Sequence, residues 1–208
     1  MKTKVLALCE CAVMVALATA LSFVKLWQMP FGGSVTLVSM LPIFIIAIKH
    51  KFSWAIATSF LYSLVQLAQA LMEGDVFIYC ESAFLVILCV LFDYLLPFTV
   101  LCLAGVFKNY YLFRKRSVKI KEIRDFGIYL GIFTAVLSRF ACHLITGALI
   151  WGQWAPDGIG KWVYSLIYNG QYLGIELILT LFVSGILLSV GQMRKILGLK
   201  RVNIDFKD

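Results

Sequence analysis

Charge is what this chain has least of. Of its 208 residues 14% are charged and 62% hydrophobic, whereas soluble globular chains carry about 25% charged residues. The shortage excludes an ordinary soluble domain and leaves an integral membrane protein. A phosphate-binding loop is also missing. The nearest approach to GxxxxGK[ST] begins at Ala155, reaches Gly160-Lys161 and is followed by Trp162, so ATP hydrolysis has no basis in this sequence. Cysteine is present at Cys9, Cys11, Cys80, Cys89, Cys102 and Cys142 but never as CxxC. That spacing argues against a zinc or redox centre and for small apolar fillers, and no metal or cofactor is expected. The net charge of +8 does not imply nucleic acid, because the basic residues flank apolar segments instead of forming a patch on a soluble fold. There is no internal repeat or low-complexity segment.

What remains is hydrocarbon in blocks. A crossing needs about 17–25 apolar residues, and six segments qualify or nearly so: Val5 to Leu26, Val35 to Ile48, Phe52 to Leu71, Ser82 to Phe107, Phe126 to Ile150 and Val163 to Val190. The sequence therefore predicts an all-α integral membrane protein, a single domain over 1–208 built as a six-transmembrane-helix bundle. The second span is short, begins in a loop with Pro30, Gly32 and Gly33, and is expected to kink at Pro42. The first is too long for a signal-peptide core and contains Glu10, so it is expected to be a mature helix. Lys and Arg set the orientation. Lys2, Lys4, Lys49, Lys51, seven residues from Lys108 to Arg124 and five from Arg194 to Lys207 fall on one side, against Lys25 and Lys161 on the other. This asymmetry predicts both termini in the cytoplasm. The outer loops are then Trp27 to Ser34, Met72 to Glu81 and Trp151 to Trp162, where Trp and Tyr by default form an interfacial belt.

Against that background the polar residues inside spans stand out, because each costs roughly 2.5–3.5 kcal/mol to insert and so faces protein or water. Arg139, His143, Gly147 and Trp151 recur every four residues and share one face of the fifth span. His143 belongs to the outer half, with Gly147 leaving space above it and Trp151 at the mouth. Arg139 lies deeper and suits a structural pairing. Asp93 and Tyr94 sit in the middle of the fourth span. Pro97, four residues on, removes the hydrogen bond to the Asp93 carbonyl and makes a polar notch there; the alternative for Asp93 is a buried salt bridge to Arg139. Glu10 lies near the cytoplasmic end of its span, and Glu176 is deep enough to need a partner. An acid, an imidazole, an amide and several aromatic rings thus converge on one side of a bundle. Such a set suits a flat, nitrogen-rich ligand, cationic or neutral, held by aromatic faces at roughly 0.5–2 kcal/mol per contact. A second signal is the four-residue spacing of Ala12, Ala16 and Ala20, which lets another helix approach closely in lipid.

The stretch MPFGGSVTLVSMLPI from Met29 to Ile43, the Asp93-Tyr94 pair, and RFACHLITGALIWGQWAPDGIGKWVYSLIYNGQY from Arg139 to Tyr172 together resemble the thiamine-specific substrate-binding subunit, or S-component, of energy-coupling factor vitamin transporters. The resemblance implies a six-helix protein of the bacterial plasma membrane. It would capture thiamine from outside and release it inside only when docked to a transmembrane coupling subunit with two ATPase subunits. It also implies ligand contacts at His143, Gly147, Trp151, Tyr164 and Asn169, with Asp93 and Tyr94 as the carboxylate-tyrosine pair. Trp27, by its place in the first outer loop, is the expected loop tryptophan, and Tyr79 is a candidate from the second, Met72 to Glu81. The first outer loop is expected to act as a lid through Gly32 and Gly33, and the alanine stripe to face the coupling subunit. The rival readings are an S-component for another vitamin or its precursor, a membrane enzyme and a passive channel. A protease would need two facing acids, yet Asp93 is the only aspartate in a span. A channel would spread its polar residues along a whole pore.

Overall fold

The four prolines mark where this chain departs from long helices. Four helices contain no proline and run uninterrupted: α1 (Lys2–Ser22), α3 (Phe52–Glu73), α5 (Ile120–Leu149) and α6 (Lys161–Ser189). The computed structural model describes residues 2–74, 76–108 and 120–199, and for residues 2, 76 and 120–124 the backbone alone. Much of the positive charge used for orientation, in 109–119 and 200–208, lies outside the described residues.

Pro42 starts a helix instead of kinking one. It occupies the first turn of α2 (Leu41–Lys49), where its missing N–H would have had no intrahelical acceptor. The expected span from Val35 is therefore corrected: residues Ser34–Thr36 form strand β2, paired antiparallel with β1 (Lys25–Gln28). The first span likewise ends at Ser22, not Leu26, because the chain turns into this hairpin. Nine residues of α2 rise about 14 Å, half of a hydrocarbon core of about 30 Å. Among the described residues five helices are long and apolar enough to cross a membrane: Thr3–Ser22, Phe52–Glu73, Ala83–Gly105, Asp125–Leu149 and Lys161–Ser189. The protein is a mostly helical, multi-pass membrane protein.

Pro97 acts as expected on the fourth helix, here α4 (Ala83–Gly105). It has no N–H for the Asp93 carbonyl, and the preceding turn widens into a π-helix over Val90–Leu95, with Leu96 N–H donating to the Leu91 carbonyl. Single π turns of this kind are frequent at functional sites. Thr99 Oγ1 donates to the Leu95 carbonyl at 2.6 Å, and the helix then tightens to 3-10 geometry over Val100–Gly105.

The core joins α2, α4 and α5 through Met40, Phe44, Phe98, Leu101, Ile128 and Ile132. A Cβ on Gly131 of α5 would lie 2.2 Å from the Ala104 carbonyl oxygen, so only glycine admits α4 this closely. The end of the bundle far from the hairpin is tied by ion pairs. Glu10 meets Lys49 at 2.6 Å and His50 at 2.7 Å. Arg194 of the short α7 (Gly191–Ile196) grips both Asp125 oxygens at 2.9 Å. Lys108 caps the carbonyl end of α2 by donating to the Ala47 and His50 carbonyls, and burial pushes its ammonium pKa down. Large apolar side chains such as Leu6, Val13, Ile178 and Phe182 cover the outside of α1 and α6, the reverse of a soluble fold.

Candidate functional site: a charged cavity under an aromatic roof

A cavity opens between the β1–β2 hairpin and helices α1, α3, α4, α5 and α6. The π turn of α4 sets Asp93 and Tyr94 in its wall. Helix α5 contributes Arg139 and His143, and α6 contributes Tyr168, Asn169, Tyr172 and Glu176. The buried face of α6 is polar along its length: Ser165, Asn169, Tyr172, Glu176, Thr180 and Ser184 recur at helical spacing and are all buried.

These groups form one chain of bonds. Arg139 Nε–H donates to His143 Nε2 at 3.3 Å. Guanidinium has no acceptor, so Nε2 takes this proton through its lone pair and the ring carries its own on Nδ1. Nδ1 lies 3.0 Å from Asp93 Oδ1 and donates to it. Thr146 Oγ1 donates to the same oxygen, while Asp93 Oδ2 meets only the weak Cys89 thiol donor at 3.5 Å. On its other side Arg139 Nη1 faces Glu176 Oε2 at 3.5 Å and Met40 Sδ at 3.0 Å, with its guanidinium carbon 4.4 Å from the Phe98 ring centre. Glu176 Oε1 accepts from the Thr36 backbone N–H at 2.9 Å and from Thr36 Oγ1 at 2.5 Å. Of the two acids open to Arg139 in the sequence, Glu176 is its partner, and His143 stands between Arg139 and Asp93. Three carboxylates, Glu73, Asp93 and Glu176, and two cations, Lys25 and Arg139, line the cavity. With His143 neutral, the formal charge is 2 − 3 = −1.

Asn169 is held from three sides. Its Nδ2 donates to the His143 carbonyl at 3.1 Å and the Ser165 carbonyl at 3.0 Å, and its Oδ1 accepts from Tyr172 at 3.1 Å. Both amide hydrogens are engaged, so only Oδ1 has capacity left, and it can read a ligand only as an acceptor.

Phe31, Tyr79, Trp151 and Trp154 make the roof, with ring centres 5.2–5.8 Å apart. Phe31 reaches it from a left-handed backbone (φ 63°), followed by Gly32 at φ 94°. A non-glycine residue there costs of order 1–3 kcal/mol and marks functional loops. Gly33 has an ordinary φ of −60°, and what it needs is room: a Cβ would lie 2.6 Å from the Tyr168 hydroxyl oxygen, which accepts from the Gly33 N–H at 3.0 Å and donates to the Pro30 carbonyl.

Of the residues singled out in the sequence, Asp93, Tyr94, His143, Trp151 and Asn169 line the cavity, with Gly32 and Gly33 of the loop. Three do not. Trp27 is exposed on β1, and it is Phe31, in the turn between the strands, that joins the roof. Gly147 does not open space for a ligand: a Cβ there would lie 2.1 Å from Ser165 Oγ and 2.7 Å from Asn169 Nδ2, so its role is to let α6 approach α5. Tyr164 packs behind Trp151 in the cluster around Cys89 and Ile150. Tyr79 belongs to the roof. Reading the sequence missed Thr36, Gln66, Gln69, Glu73 and Tyr172. Gln66, Gln69 and Glu73 share one face of an apolar helix, a pattern that was there to be found. Ala12, Ala16 and Ala20 are exposed and line a shallow apolar groove with Val15, Phe23, Leu61 and Val65 between α1 and α3.

Comparisons with known proteins agree with this architecture. The chain is 34% identical over 169 residues to the thiamine transporter ThiT of Bacillus subtilis (strain 168), covering 80% of this chain and 81% of the relative. It is 33% identical over 99 residues to the thiamine transporter ThiT of Lacticaseibacillus paracasei, covering 47% and 48% of the two chains. A solved structure of ThiT from Listeria monocytogenes shares the fold with a TM-score of 0.72 at 22% identity, over 94% of this chain and 98% of that one. A family profile described as "Thiamine transporter protein" matches residues 8–195, and with nearly the whole chain matched, this protein belongs to the thiamine transporter protein family.

Proposed function

We propose that this protein is a thiamine-binding S-component, a substrate-capturing subunit and not an enzyme, that takes thiamine from outside the plasma membrane into the cavity beneath the hairpin. The observation that carries this reading is the cavity's excess of one negative charge under a roof of aromatic faces. Thiamine offers what that site lacks: a fixed ring cation for Asp93 and the aromatic rings, and an aminopyrimidine whose N–H groups suit the free acceptor capacity of Asn169 Oδ1. Trp151, Tyr94 and Phe31 supply ring faces. Tyr164 and Gly147 support this wall without lining it.

In this reading both termini are cytoplasmic, the hairpin end faces out, and α2 serves as the sixth, shortened helix of the bundle. The hairpin with Phe31, Gly32 and Gly33 is the lid. The exposed stripe of Ala12, Ala16 and Ala20 receives the transmembrane coupling subunit, and two ATPase subunits supply the energy, consistent with the absent phosphate loop. Titration of the purified protein with thiamine, followed by tryptophan fluorescence, tests the reading. Quenching is expected with thiamine and not with riboflavin or biotin, and binding of a control in thiamine's place overturns it. Ala16→Trp should abolish uptake in cells while sparing binding in detergent; loss of binding would place the stripe in the structural core.

A further inference from the structure

Glu176 is the one fully buried carboxylate of the cavity wall, 2% exposed, and none of its bonds requires a ligand. One oxygen takes both donors of Thr36, at the end of the outer hairpin, and the other faces Arg139. A carboxylate can only accept, so the Thr36 hydroxyl proton points to Glu176, and the Ser39 hydroxyl, 2.7 Å away, donates to Thr36 Oγ1 in turn. The next turn is strained: Val38, a β-branched residue, sits at φ 49°, a conformation that persists only where its surroundings over-determine it. Thr36 and Ser39 flank it on either side. From Thr36 the bonds continue without a gap through Glu176, Arg139 and His143 to Asp93, which spans β2, α6, α5 and the π turn of α4.

We infer that Glu176 is a positioning residue that fastens the hairpin to the charged wall, so that the state of Asp93 and the closure of the hairpin over the cavity form one coupled equilibrium. Arg139 is the middle link. It donates to Glu176 on one side and to His143 on the other, and it cannot strengthen one bond without moving against the other. A cation drawn to Asp93 competes with the His143 N–H for that carboxylate, and the shift passes through Arg139 to the group that holds Thr36. Such coupling needs a linked element with two arrangements, and the strained turn at Val38 supplies one. This deepens the function proposed above and rests on it for the identity of the cation, though the bonds themselves are made by the chain's own residues.

The test is hydrogen exchange at the backbone amides of residues 34–37 in the purified, ligand-free protein. Glu176→Gln, which keeps the shape and removes the charge, should speed exchange at Thr36 at least tenfold. Thr36→Val, which removes the hydroxyl bond alone, should do so to a lesser degree and remains informative if the buried variant fails to fold. Asp93→Asn, at the far end of the chain of bonds, should speed hairpin exchange several-fold and add nothing in the Glu176→Gln background. A merely structural Glu176 would not transmit that last change. Unchanged exchange in the Thr36 and Glu176 variants, or a hairpin indifferent to Asp93→Asn, overturns the inference. The thiamine titration of the unaltered protein is independent, so a failure to bind thiamine refutes the function and leaves the exchange result standing.

Discussion

The wall made by the π turn of α4 with α5 and α6 and the wall made by α1 and α3 face the same cavity, and both are polar, yet they are built differently. In the first, charged groups with little exposure carry the short bonds, Asp93 to His143 at 3.0 Å and Glu176 to Thr36 at 2.5 and 2.9 Å, joined by longer ones from Arg139 at 3.3 and 3.5 Å. In the second, neutral groups touch loosely. Ser22 meets the Gln66 and Gln69 amides at 3.3–3.4 Å, and the Lys25–Glu73 pair beside them is 3.4 Å apart with Glu73 exposed. Groups already ordered around an uncompensated charge lose little side-chain freedom when a ligand arrives, whereas soft contacts near water are exchanged at little gain. Under the proposed function, the contrast assigns recognition to the α4–α5–α6 wall and leaves the α1–α3 wall as the side nearer water.

The comparison breaks most readily at Asp93. Replacing it by Ala removes the excess negative charge and leaves the His143 N–H without its acceptor. A hydrogen bond to a charged group is worth about 1.5–3 kcal/mol, so thiamine affinity should fall roughly tenfold to a hundredfold. Fluorescence titration measures it, and a loss under threefold in a folded variant would remove the carboxylate from the contact set. Trp151→Ala comes next. Its ring is largely buried between Phe31, Tyr79 and Trp154, and cation–π contact contributes about 0.5–2 kcal/mol in addition to the apolar area lost. A loss of at least tenfold is expected, read by calorimetry because the variant lacks the reporter ring. An unchanged affinity would make the roof a cover and not a contact.

The elements of this site were unequally legible in the sequence. Asp93, His143 and Asn169 could be found because a polar group in an apolar span costs too much to be idle, Trp151 through its four-residue spacing from His143 and Gly147, and Pro97 announced a break in the fourth helix through the bond it cannot make. Pairing was not legible. Arg139 could be matched to either acid, and nothing in the spacing shows that His143 stands between Arg139 and Asp93. Val35 and Thr36 of β2 fall within an expected span because Val35, Leu37 and Val38 are as apolar as a helix. Short apolar runs do not distinguish strand from helix, and strand pairing decided the outcome. Trp27 and Gly147 show the same limit: position in the chain suggested a ligand contact, while Trp27 is exposed and Gly147 lets α6 approach α5.

The smallest effect should come from the other wall. Gln69→Ala removes an amide whose bonds to Ser22, at 3.3 and 3.4 Å, lie at the long edge of hydrogen-bond geometry and are accordingly weak. Water can take its place, since the neighbouring Lys25–Glu73 pair is open to solvent. Affinity for thiamine should therefore change by less than about threefold, at the low end of the roughly 0.5–1.5 kcal/mol of a neutral hydrogen bond. A loss as large as that at Asp93 would mean that the α1–α3 wall is ordered by the ligand when it binds. Recognition would then be shared across the cavity, with the loose contacts of the free protein tightening as part of closure.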